Sequence, residues 1–221
     1  MICDLLICDL DGTLIDSHED IADSINLALQ DHGLPTHSTE AVISMIGGGL
    51  AALVHRALDP ADHARSAQVL DRYRMHYGTR LLAKTRLYDG VEAVLRRAHS
   101  DGLTLAVATN KPQDFIHPIL DGLGVLGLFE VISGERTGQP RKPDPSCVHE
   151  ILSTTHAAKP RTLYLGDSRI DLETARAAGV PVALVSWGYT PRAELQAAGP
   201  DYLLDTPSDL DHLLSSPHRS S

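Results

Sequence analysis

The chain has 221 residues, of which 43% are hydrophobic and 22% are charged, proportions typical of a folded globular protein. It carries 19 Lys and Arg against 29 Asp and Glu, which gives a formal net charge of −10. An acidic chain lacks the positive surface that general nucleic-acid binders and proteins on anionic membranes need. We therefore expect no nucleic acid and no membrane as partner, and one domain or one domain with a smaller insert.

The cysteines and the N-terminal segment indicate a reducing compartment. Cys3, Cys8 and Cys147 are an odd set without the spacing of a disulfide scaffold or a zinc site. No apolar run approaches the ~20 residues that span a bilayer, and no basic leader opens the sequence. We expect a cytoplasmic protein that is a monomer or a homodimer.

Five or six short apolar runs predict the strands of a parallel sheet. Most are apolar throughout rather than alternating, which is typical of strands covered on both faces. The predicted strands are residues 2–10, 103–109, 129–133, 162–166, 181–187 and 201–204. Helical patterns lie between them at residues 91–99, 145–152 and 172–178. This alternation predicts an α/β fold with a three-layer, Rossmann-like core around a parallel sheet.

One long segment breaks the alternation of strands and helices. Between about residues 17 and 87 no convincing strand is visible, and apolar residues such as Ile21, Ile25 and Leu29 recur at helical spacing. We predict a bundle of four or five helices inserted after the first strand. The predicted division is a core domain of residues 1–16 and 86–221 and a helical insert of residues 17–85.

The first predicted strand ends in two aspartates separated by one residue. Alternate residues of a strand point to the same face, so Asp9 and Asp11 should project together beyond the carboxyl end of the strand. Open α/β sheets bind ligands at that edge. Two adjacent carboxylates repel each other and favour a divalent cation or a shared proton. The other interpretation is a common Asp-Gly turn, in which Gly12 permits the tight bend.

Three more polar segments lie at the same edge of the predicted sheet. Thr109 and the backbone N–H groups after it could hold an anion, or Thr109 could cap the next helix. Lys142 could place a positive charge on a phosphate, or could be a solvated surface lysine. Asp167 follows a strand at a position suited to a hard cation. Asp171 could support that site or form a capping box with Ser168, three residues earlier.

Taken together, these segments bring the parts of a phosphoryl-transfer site to one sheet edge. They supply a carboxylate nucleophile, a second carboxylate, a hydroxyl, an ammonium group and a metal-binding acid. Such groups position a phosphoryl group, offset its charge and attack it. Chance convergence of all of them on one edge is a poor explanation of the pattern.

The motifs as a set resemble the haloacid dehalogenase superfamily, in particular its phosphatases with a helical C1-type cap, such as the phosphoglycolate phosphatases. The resemblance runs from residue 2 to about residue 214. It rests on four motifs, which are Asp9-x-Asp11-Gly12-Thr13, Thr109, Lys142-Pro143 and Gly166-Asp167-x-x-x-Asp171. Softer similarities to the phosphoglycolate branch lie at residues 14–17, 46–50, 109–111 and 187–189.

The resemblance implies a role for each residue of the chemistry. Asp9 would be the nucleophile that forms an aspartyl-phosphate, and Asp11 would be the general acid and base. Thr109, the backbone N–H of Asn110 and the Lys142 ammonium would bind the phosphoryl oxygens.

The resemblance also implies a Mg²⁺ cofactor. The carboxylate of Asp9, the backbone carbonyl of Asp11 and the carboxylate of Asp167 would hold the ion. Asp171 and Ser168 would support this site, with Asp171 ordering the outer shell of the metal or orienting the lysine.

The substrate implied by the resemblance is a small phosphorylated metabolite, with 2-phosphoglycolate as the leading candidate. The inserted cap would select it. Gly47, Gly48 and Gly49 would form a loop aimed at the site, although a plain helix–helix linker fits them equally well. The candidates for binding a substrate carboxylate are His55, Arg56 and Lys84.

Three other functions remain open at this point. A pyrophosphatase or a nucleotidase shares every motif and differs only in the cap. A phosphosugar mutase similar to β-phosphoglucomutase would use the same aspartates, but Gly12-Thr13 fits the phosphatases better than the Gly-Val typical of the mutases. A non-catalytic binding module on an enzyme fold is the third, and it is disfavoured because every catalytic position is filled.

Overall fold

The strands form one large sheet and one small one. A computed structural model describes residues 3–216. The strands in chain order are β1 (Leu5–Cys8), β2 (Ile15–Asp16), β3 (Arg86–Leu87), β4 (Thr104–Pro112), β5 (Val131–Glu135), β6 (Thr162–Gly166), β7 (Val182–Val185) and β8 (Tyr202–Leu204). The large sheet has the order β5-β4-β1-β6-β7-β8, and every neighbouring pair is parallel. Because β1 lies inside the sheet, its carboxyl end is flanked by the ends of β4 and β6.

Ten α-helices connect these strands within residues 3–216. In chain order they are α1 (His18–Asp31), α2 (Thr39–Ile43), α3 (Leu50–Ala57), α4 (Ser66–Gly78), α5 (Val91–Ser100), α6 (Gln113–Gly122), α7 (Ser146–Thr155), α8 (Arg169–Ala178), α9 (Arg192–Ala198) and α10 (Pro207–Ser215). A 3-10 helix, Pro60–Arg65, precedes α4. None of the helices in this described range is long and apolar enough to cross a bilayer.

The large sheet is the middle layer of three. Along β1, Leu6 and Cys8 belong to the hydrophobic cluster on one face, and Leu5 and Ile7 belong to the cluster on the other. Helices α5, α6 and α10 cover the first face, and α7, α8 and α9 cover the second. Each fully buried Leu or Ile side chain stabilises the fold by about 1.5–3 kcal/mol. The prediction of a three-layer α/β fold with a parallel sheet is confirmed.

Helices α1 to α4, called the insert helices below, pack against one another, and α3 contacts β4. Apolar residues of α1 and α4, such as Ile25, Leu29 and Val69, are fully buried between them. The same hydrophobic cluster continues into α5 and α6 beneath the sheet edge. Four α-helices and one 3-10 helix correspond to the four or five helices expected from the sequence. The division at residues 17–85 stays a prediction.

The chain enters and leaves the insert helices through the small sheet. Strands β2 and β3 pair antiparallel, with Ile15 opposite Leu87 and Asp16 opposite Arg86. The expectation of no strand between residues 17 and 87 is therefore wrong at residues 86–87. A strand of two residues is too short to leave a periodic pattern, because only its pairing partner defines it.

Two strand bounds differ from expectation in ways that matter for the site. Strand β1 is shorter than the predicted 2–10, whose first residue lies outside the described residues, and Asp9 follows its end. Strand β4 continues to Pro112, three residues beyond the predicted end. Its pairing with β5 shifts register between Ala108 and Pro112. Asn110 and Lys111 are therefore held in an extended segment at the sheet edge.

Buried Asp20 fastens α1 to the segment that returns to the sheet. Its Oδ2 accepts hydrogen bonds from the backbone N–H groups of Lys84 and Thr85, at 2.9 and 2.8 Å, and from the Thr85 hydroxyl at 2.7 Å. Asp20 is fully buried and Thr85 is 6% exposed. A buried carboxylate is stable only when it is hydrogen-bonded in this way. The contact therefore fixes the two ends of the insert against each other.

We predict that Asp20→Ala lowers the free energy of unfolding by about 2–4 kcal/mol, because it leaves buried donors without an acceptor. Asp23→Ala is the matched control on the same helix, since Asp23 is partly exposed and its ion pairs within the described residues, with Arg80 and Lys84, lie at the surface. The control should change the free energy by no more than about 0.5 kcal/mol. Urea unfolding followed by circular dichroism measures both. Equal losses in the two variants would contradict this assignment.

Candidate active site

Asp9 and Asp11 lie beyond the carboxyl end of β1, as the spacing predicts. The backbone N–H of Asp9 donates to Leu165 O at 2.8 Å, which extends the pairing of β1 with β6 by one residue. Gly12 follows with a φ of +82°, in the left-handed region that favours glycine. A Cβ on Gly12 would lie 2.3 Å from Asp167 Oδ2. The turn therefore needs glycine for its backbone conformation and for its contact with Asp167.

The Lys142 ammonium joins Asp9 to the rest of the site. Its Nζ lies 2.9 Å from Asp9 Oδ1 and 2.7 Å from Asp171 Oδ1, and it also donates to Ala108 O at 3.0 Å. Its side chain is 3% exposed, so the alternative of a solvated surface lysine is wrong. Burial alone would lower the pKa of Lys142, but Asp171 and Asp9 raise this pKa well above its ordinary value. Lys142 is therefore a fixed positive charge.

Strand β4 contributes Thr109 and Asn110, and Asn110 contacts Lys142 directly. The Asn110 side chain accepts from Lys142 N at 3.0 Å and donates to Lys142 O at 3.1 Å. It also donates to Gly47 O at 3.1 Å, which ties the glycine loop of the insert to the sheet edge. Thr109 lies inside β4, so it does not cap the next helix, which begins at Gln113. The sequence pointed to the backbone of Asn110 and missed the contacts of its side chain.

Asp167 is a buried carboxylate at the end of β6. It is 3% exposed and accepts hydrogen bonds from the Thr13 hydroxyl at 3.2 Å and from Tyr189 N at 2.9 Å. Burial raises the pKa of Asp167 well above its ordinary value, and the nearby charges of Asp171 and Asp9 raise it further. Burial likewise raises the pKa of Asp9 to about 6, although Lys142 opposes the shift. Both carboxylates would be stabilised by a cation.

Asp171 fills both of the roles that the sequence left open. Its Oδ2 accepts from the backbone N–H of Ser168 at 3.1 Å and from the Ser168 hydroxyl at 2.5 Å, which completes the capping box of α8. Its Oδ1 accepts from Lys142. The capping box thus orients the carboxylate that holds the lysine. Ser168 therefore supports the site indirectly, through Asp171.

A second lysine, Lys111, holds Asp11. Its Nζ lies 2.8 Å from Asp11 Oδ1 and donates to the Tyr77 hydroxyl at 2.6 Å. The Ser17 hydroxyl also donates to Asp11 Oδ1, at 2.5 Å. Lys111 was not among the predicted site residues, although it shares a strand face with Thr109 two residues earlier, a signal that could have found it. Tyr77 belongs to α4, and no sequence signal links it to the site.

The carboxylates can hold a divalent cation. Carboxylate oxygens of Asp9, Asp167 and Asp171 lie within 4.8 Å of one another. Oxygen ligands of this kind suit a hard divalent cation. With Asp11, four carboxylates share two lysines at this site, so a divalent cation would add positive charge that the lysines do not supply. Asp171 is already engaged by Lys142 and Ser168, so Asp9 and Asp167 are the side chains best placed to contact the ion.

A cavity of about 50 Å³ adjoins the two N-terminal aspartates, between the sheet edge and the insert helices. The sheet side contributes Asp9, Asp11, Thr109, Asn110 and Lys111, and the insert side includes Gly47, Gly49, Leu50, Tyr73 and Tyr77. A Cβ on Gly48 would instead contact Ala52. The three carboxylate-binding candidates are engaged elsewhere, since Arg56 donates to Met45 O, Lys84 pairs with Glu19, and His55 stacks near His63.

Comparisons with known proteins agree with this arrangement. A sequence model of the haloacid dehalogenase-like hydrolase family matches residues 6–185. A phosphoglycolate phosphatase of Cereibacter sphaeroides is 38% identical over 188 residues, 83% of this chain and 85% of that protein. A phosphoglycolate phosphatase of Aquifex aeolicus is 34% identical over 212 residues, 96% of this chain and 97% of that protein.

A solved structure gives the same result for the fold. The crystal structure of a predicted phosphoglycolate phosphatase from Haemophilus somnus 129pt superposes with a TM-score of 0.89 at 32% identity, and the match covers 96% of this chain and 98% of that one. The family match spans the Asp9 turn, β4, the Lys142 loop and the end of β6. The chain therefore belongs to the haloacid dehalogenase-like hydrolases, as a phosphatase of the phosphoglycolate phosphatase-like group.

Proposed function

We propose that the protein is a Mg²⁺-dependent phosphomonoesterase that hydrolyses 2-phosphoglycolate to glycolate and inorganic phosphate through an aspartyl-phosphate. The observation that carries this proposal is the buried Lys142 ammonium, 2.9 Å from Asp9 Oδ1 beside Asp167. A carboxylate attacks a phosphate dianion only where positive charge offsets their repulsion. The Lys142 ammonium lies beside Asp9, the carboxylate that directly follows β1.

In the first half of the proposed reaction, an Asp9 oxygen bonds to phosphorus while the bond to the ester oxygen breaks. Lys142 and the Thr109 hydroxyl hold the phosphoryl oxygens, and the Asn110 side chain fixes the Lys142 backbone. Asp11 donates a proton to the departing alkoxide. Asp11 suits this role because it lines the cavity in which the leaving group would lie.

In the second half, water attacks the phosphorus and the bond to Asp9 breaks. Asp11 removes the proton from that water, so the two half-reactions return it to its starting state. The insert helices and the glycine loop cover the cavity and limit the entry of other water.

Asp9, Asp167 and the backbone carbonyl of Asp11 would hold the Mg²⁺ ion. When bound, the ion would supply positive charge to the phosphoryl oxygens. Two observations support its fit, the close approach of the carboxylate oxygens and the raised pKa of Asp167.

The size of the cavity and the names of the relatives support a small substrate. A cavity must offer roughly 10–15 Å³ to hold one water molecule, so about 50 Å³ suits a leaving group of a few non-hydrogen atoms. Glycolate has that size, and a nucleoside, several times larger, would have to occupy the acidic cleft of about 460 Å³ at the same aspartates. The curated relatives from Cereibacter sphaeroides and Aquifex aeolicus carry the name phosphoglycolate phosphatase.

The direct test is phosphate release from 2-phosphoglycolate, sugar phosphates, nucleotides and pyrophosphate, each with Mg²⁺ and with EDTA. We expect turnover that is highest on 2-phosphoglycolate and that EDTA abolishes. Highest turnover on a nucleotide or on pyrophosphate would reject the substrate assignment and keep the chemistry. Conversion of β-glucose 1-phosphate without phosphate release would indicate a mutase, and no reaction with any compound would reject the proposed enzyme.

Asp9→Asn should reduce kcat by more than about 10³-fold, since the amide is a poor nucleophile. Asp101→Asn is the control, because Asp101 is exposed and its ion pair among residues 3–216 is with Arg97, four residues earlier. A stopped-flow or endpoint phosphate assay measures kcat, and a thermal melt confirms that both variants are folded. Wild-type turnover by the Asp9 variant would refute the nucleophile assignment.

Asp167→Asn should stabilise the metal-free protein at pH 8 and have less effect at pH 5. The folded-state pKa of Asp167 is raised above 3.8, so as the pH increases the unfolded chain releases this proton at a lower pH than the folded protein does. The free energy of unfolding therefore falls as the pH rises above about 4. The amide removes that cost. We expect a rise of about 2–4 °C in Tm for each 1 kcal/mol recovered in EDTA.

The same melts test the metal site. Mg²⁺ should raise the Tm of the wild-type protein and of the Asp101→Asn control at pH 8, because it binds the folded state. It should raise the Tm of Asp167→Asn much less. An equal rise in all three proteins, or no gain in stability for Asp167→Asn in EDTA, would place the cation elsewhere.

A further inference from the structure

The proposed phosphoryl chemistry uses the buried Lys111 only to hold Asp11. Its side chain is 3% exposed, and its Nζ lies 2.8 and 3.1 Å from the two oxygens of Asp11. Removing an ammonium group from water costs several kcal/mol, so a lysine in this position needs partners for its charge. Lys142 already supplies the charge beside Asp9, which leaves Lys111 for another part of the substrate.

The charge distribution of the small cavity supports a role in binding the leaving group. Among the described residues that line it, Lys111 alone is positively charged. Leu50, Leu53 and Phe115 contribute apolar wall. A charge interaction is stronger against such a wall than in water. The carboxylates of Asp9 and Asp11 also line the cavity, but each is paired with a lysine, Asp9 with Lys142 and Asp11 with Lys111. A short anionic group can therefore meet the Lys111 ammonium inside a small apolar enclosure.

The larger opening at the same aspartates has the opposite character. This cleft, of about 460 Å³, shares Asp9 and Asp11 with the small cavity, and its other charged lining residues in the described range are Glu40, Asp167 and Glu194. An anionic leaving group would be repelled there. The two openings thus differ in charge, because the described lining of the larger cleft contains no lysine or arginine, whereas the small cavity carries Lys111.

The reach of Lys111 matches a carboxylate close to the ester oxygen. A leaving oxygen that Asp11 protonates lies ~2.7 Å from the aspartate, and Lys111 Nζ lies 2.8 Å beyond, so the span is at most roughly 5.5 Å. An α-carboxylate oxygen lies ~3 Å from the ester oxygen, and a hydrogen bond of ~2.7 Å closes the remainder. A carboxylate one carbon from the ester oxygen therefore fits.

We propose that the Lys111 ammonium and the Tyr77 hydroxyl form the subsite for the carboxylate of the leaving group, and that they select phosphomonoesters of small α-hydroxy acids. This inference rests on the proposed phosphatase function. The Tyr77 hydroxyl accepts from Lys111 at 2.6 Å and lies on α4, so the subsite joins the sheet edge to an insert helix. Burial raises the pKa of Tyr77 well above its ordinary value, so its hydroxyl stays neutral and can donate to a carboxylate.

The test compares 2-phosphoglycolate with 2-hydroxyethyl phosphate, which has the same carbon count but a hydroxymethyl group in place of the carboxylate. The wild-type protein should prefer 2-phosphoglycolate in kcat/KM. Lys111→Met should lower this preference about 100-fold, mainly through a higher KM for 2-phosphoglycolate, since a buried charged hydrogen bond is lost. Lys111→Arg keeps the charge and should restore part of the preference.

Two further variants separate this role from a structural one. Lys84→Met removes an exposed lysine of the insert region that pairs with Glu19 and Asp23, and it should keep the wild-type preference. Tyr77→Phe removes only the hydroxyl and should lower the preference roughly 5-fold, again through KM. The phenylalanine keeps the ring packed, so this variant tests the subsite even where Lys111→Met fails to fold.

Four outcomes overturn the inference. If Lys111→Met lowers kcat equally on both esters, the lysine only positions Asp11. If Tyr77→Phe leaves the preference and both KM values unchanged, the subsite lies elsewhere. If the wild-type protein hydrolyses both esters equally well, the inference fails while the proposed phosphatase chemistry stands. If it hydrolyses neither, the proposed function fails and the inference falls with it.

Discussion

The site depends on one buried ammonium group, that of Lys142, which must be surrounded by acceptors because it has almost no contact with water. Those acceptors come from separate elements, namely Asp9 after β1, Ala108 O in β4, Tyr164 in β6 and Asp171 in α8. A buried charge that loses one partner is strongly destabilising. The electrostatic need of a single side chain therefore holds the ends of three adjacent strands and one helix in register.

Acidic side chains outnumber basic ones around Lys142, and the two kinds are distributed unevenly about the site. The side of the Asp9–Asp11 pair that faces Asp167 is lined by carboxylates, and the side that faces the insert helices carries Lys111. The Asn110 amide connects the two halves, since it holds the Lys142 backbone and the Gly47 carbonyl together. A rotation of the insert helices away from the sheet would therefore disturb both the cavity and the loop that carries Lys142.

The parts of the fold that were predictable are those with a local physical cause. Strand β6 has the predicted bounds because its run ends at Gly166 and the charged Asp167 follows directly. Strand β4 was predicted too short because Asn110 and Lys111 end the apolar run, although the backbone stays extended. The motifs at Asp9 and Asp167 were readable because each directly follows a strand, and the one at Thr109 because it ends the apolar run of β4. Tyr77 was unreadable because its place depends on how α4 packs against the sheet edge, which no local pattern encodes.

The pairing of β2 with β3 has a consequence for how such a chain can diversify. Neighbouring strands lie roughly 5 Å apart, so the chain leaves for the insert helices and returns from them at almost the same point. The entropic cost of bringing the two ends of an insert together grows only with the logarithm of its length, so a long insert costs little more free energy than a short one. Helices of another size or number can be spliced between these two strands while the aspartates and Lys142 keep their positions. Selectivity for the leaving group and the chemistry of phosphate transfer can then change independently of each other.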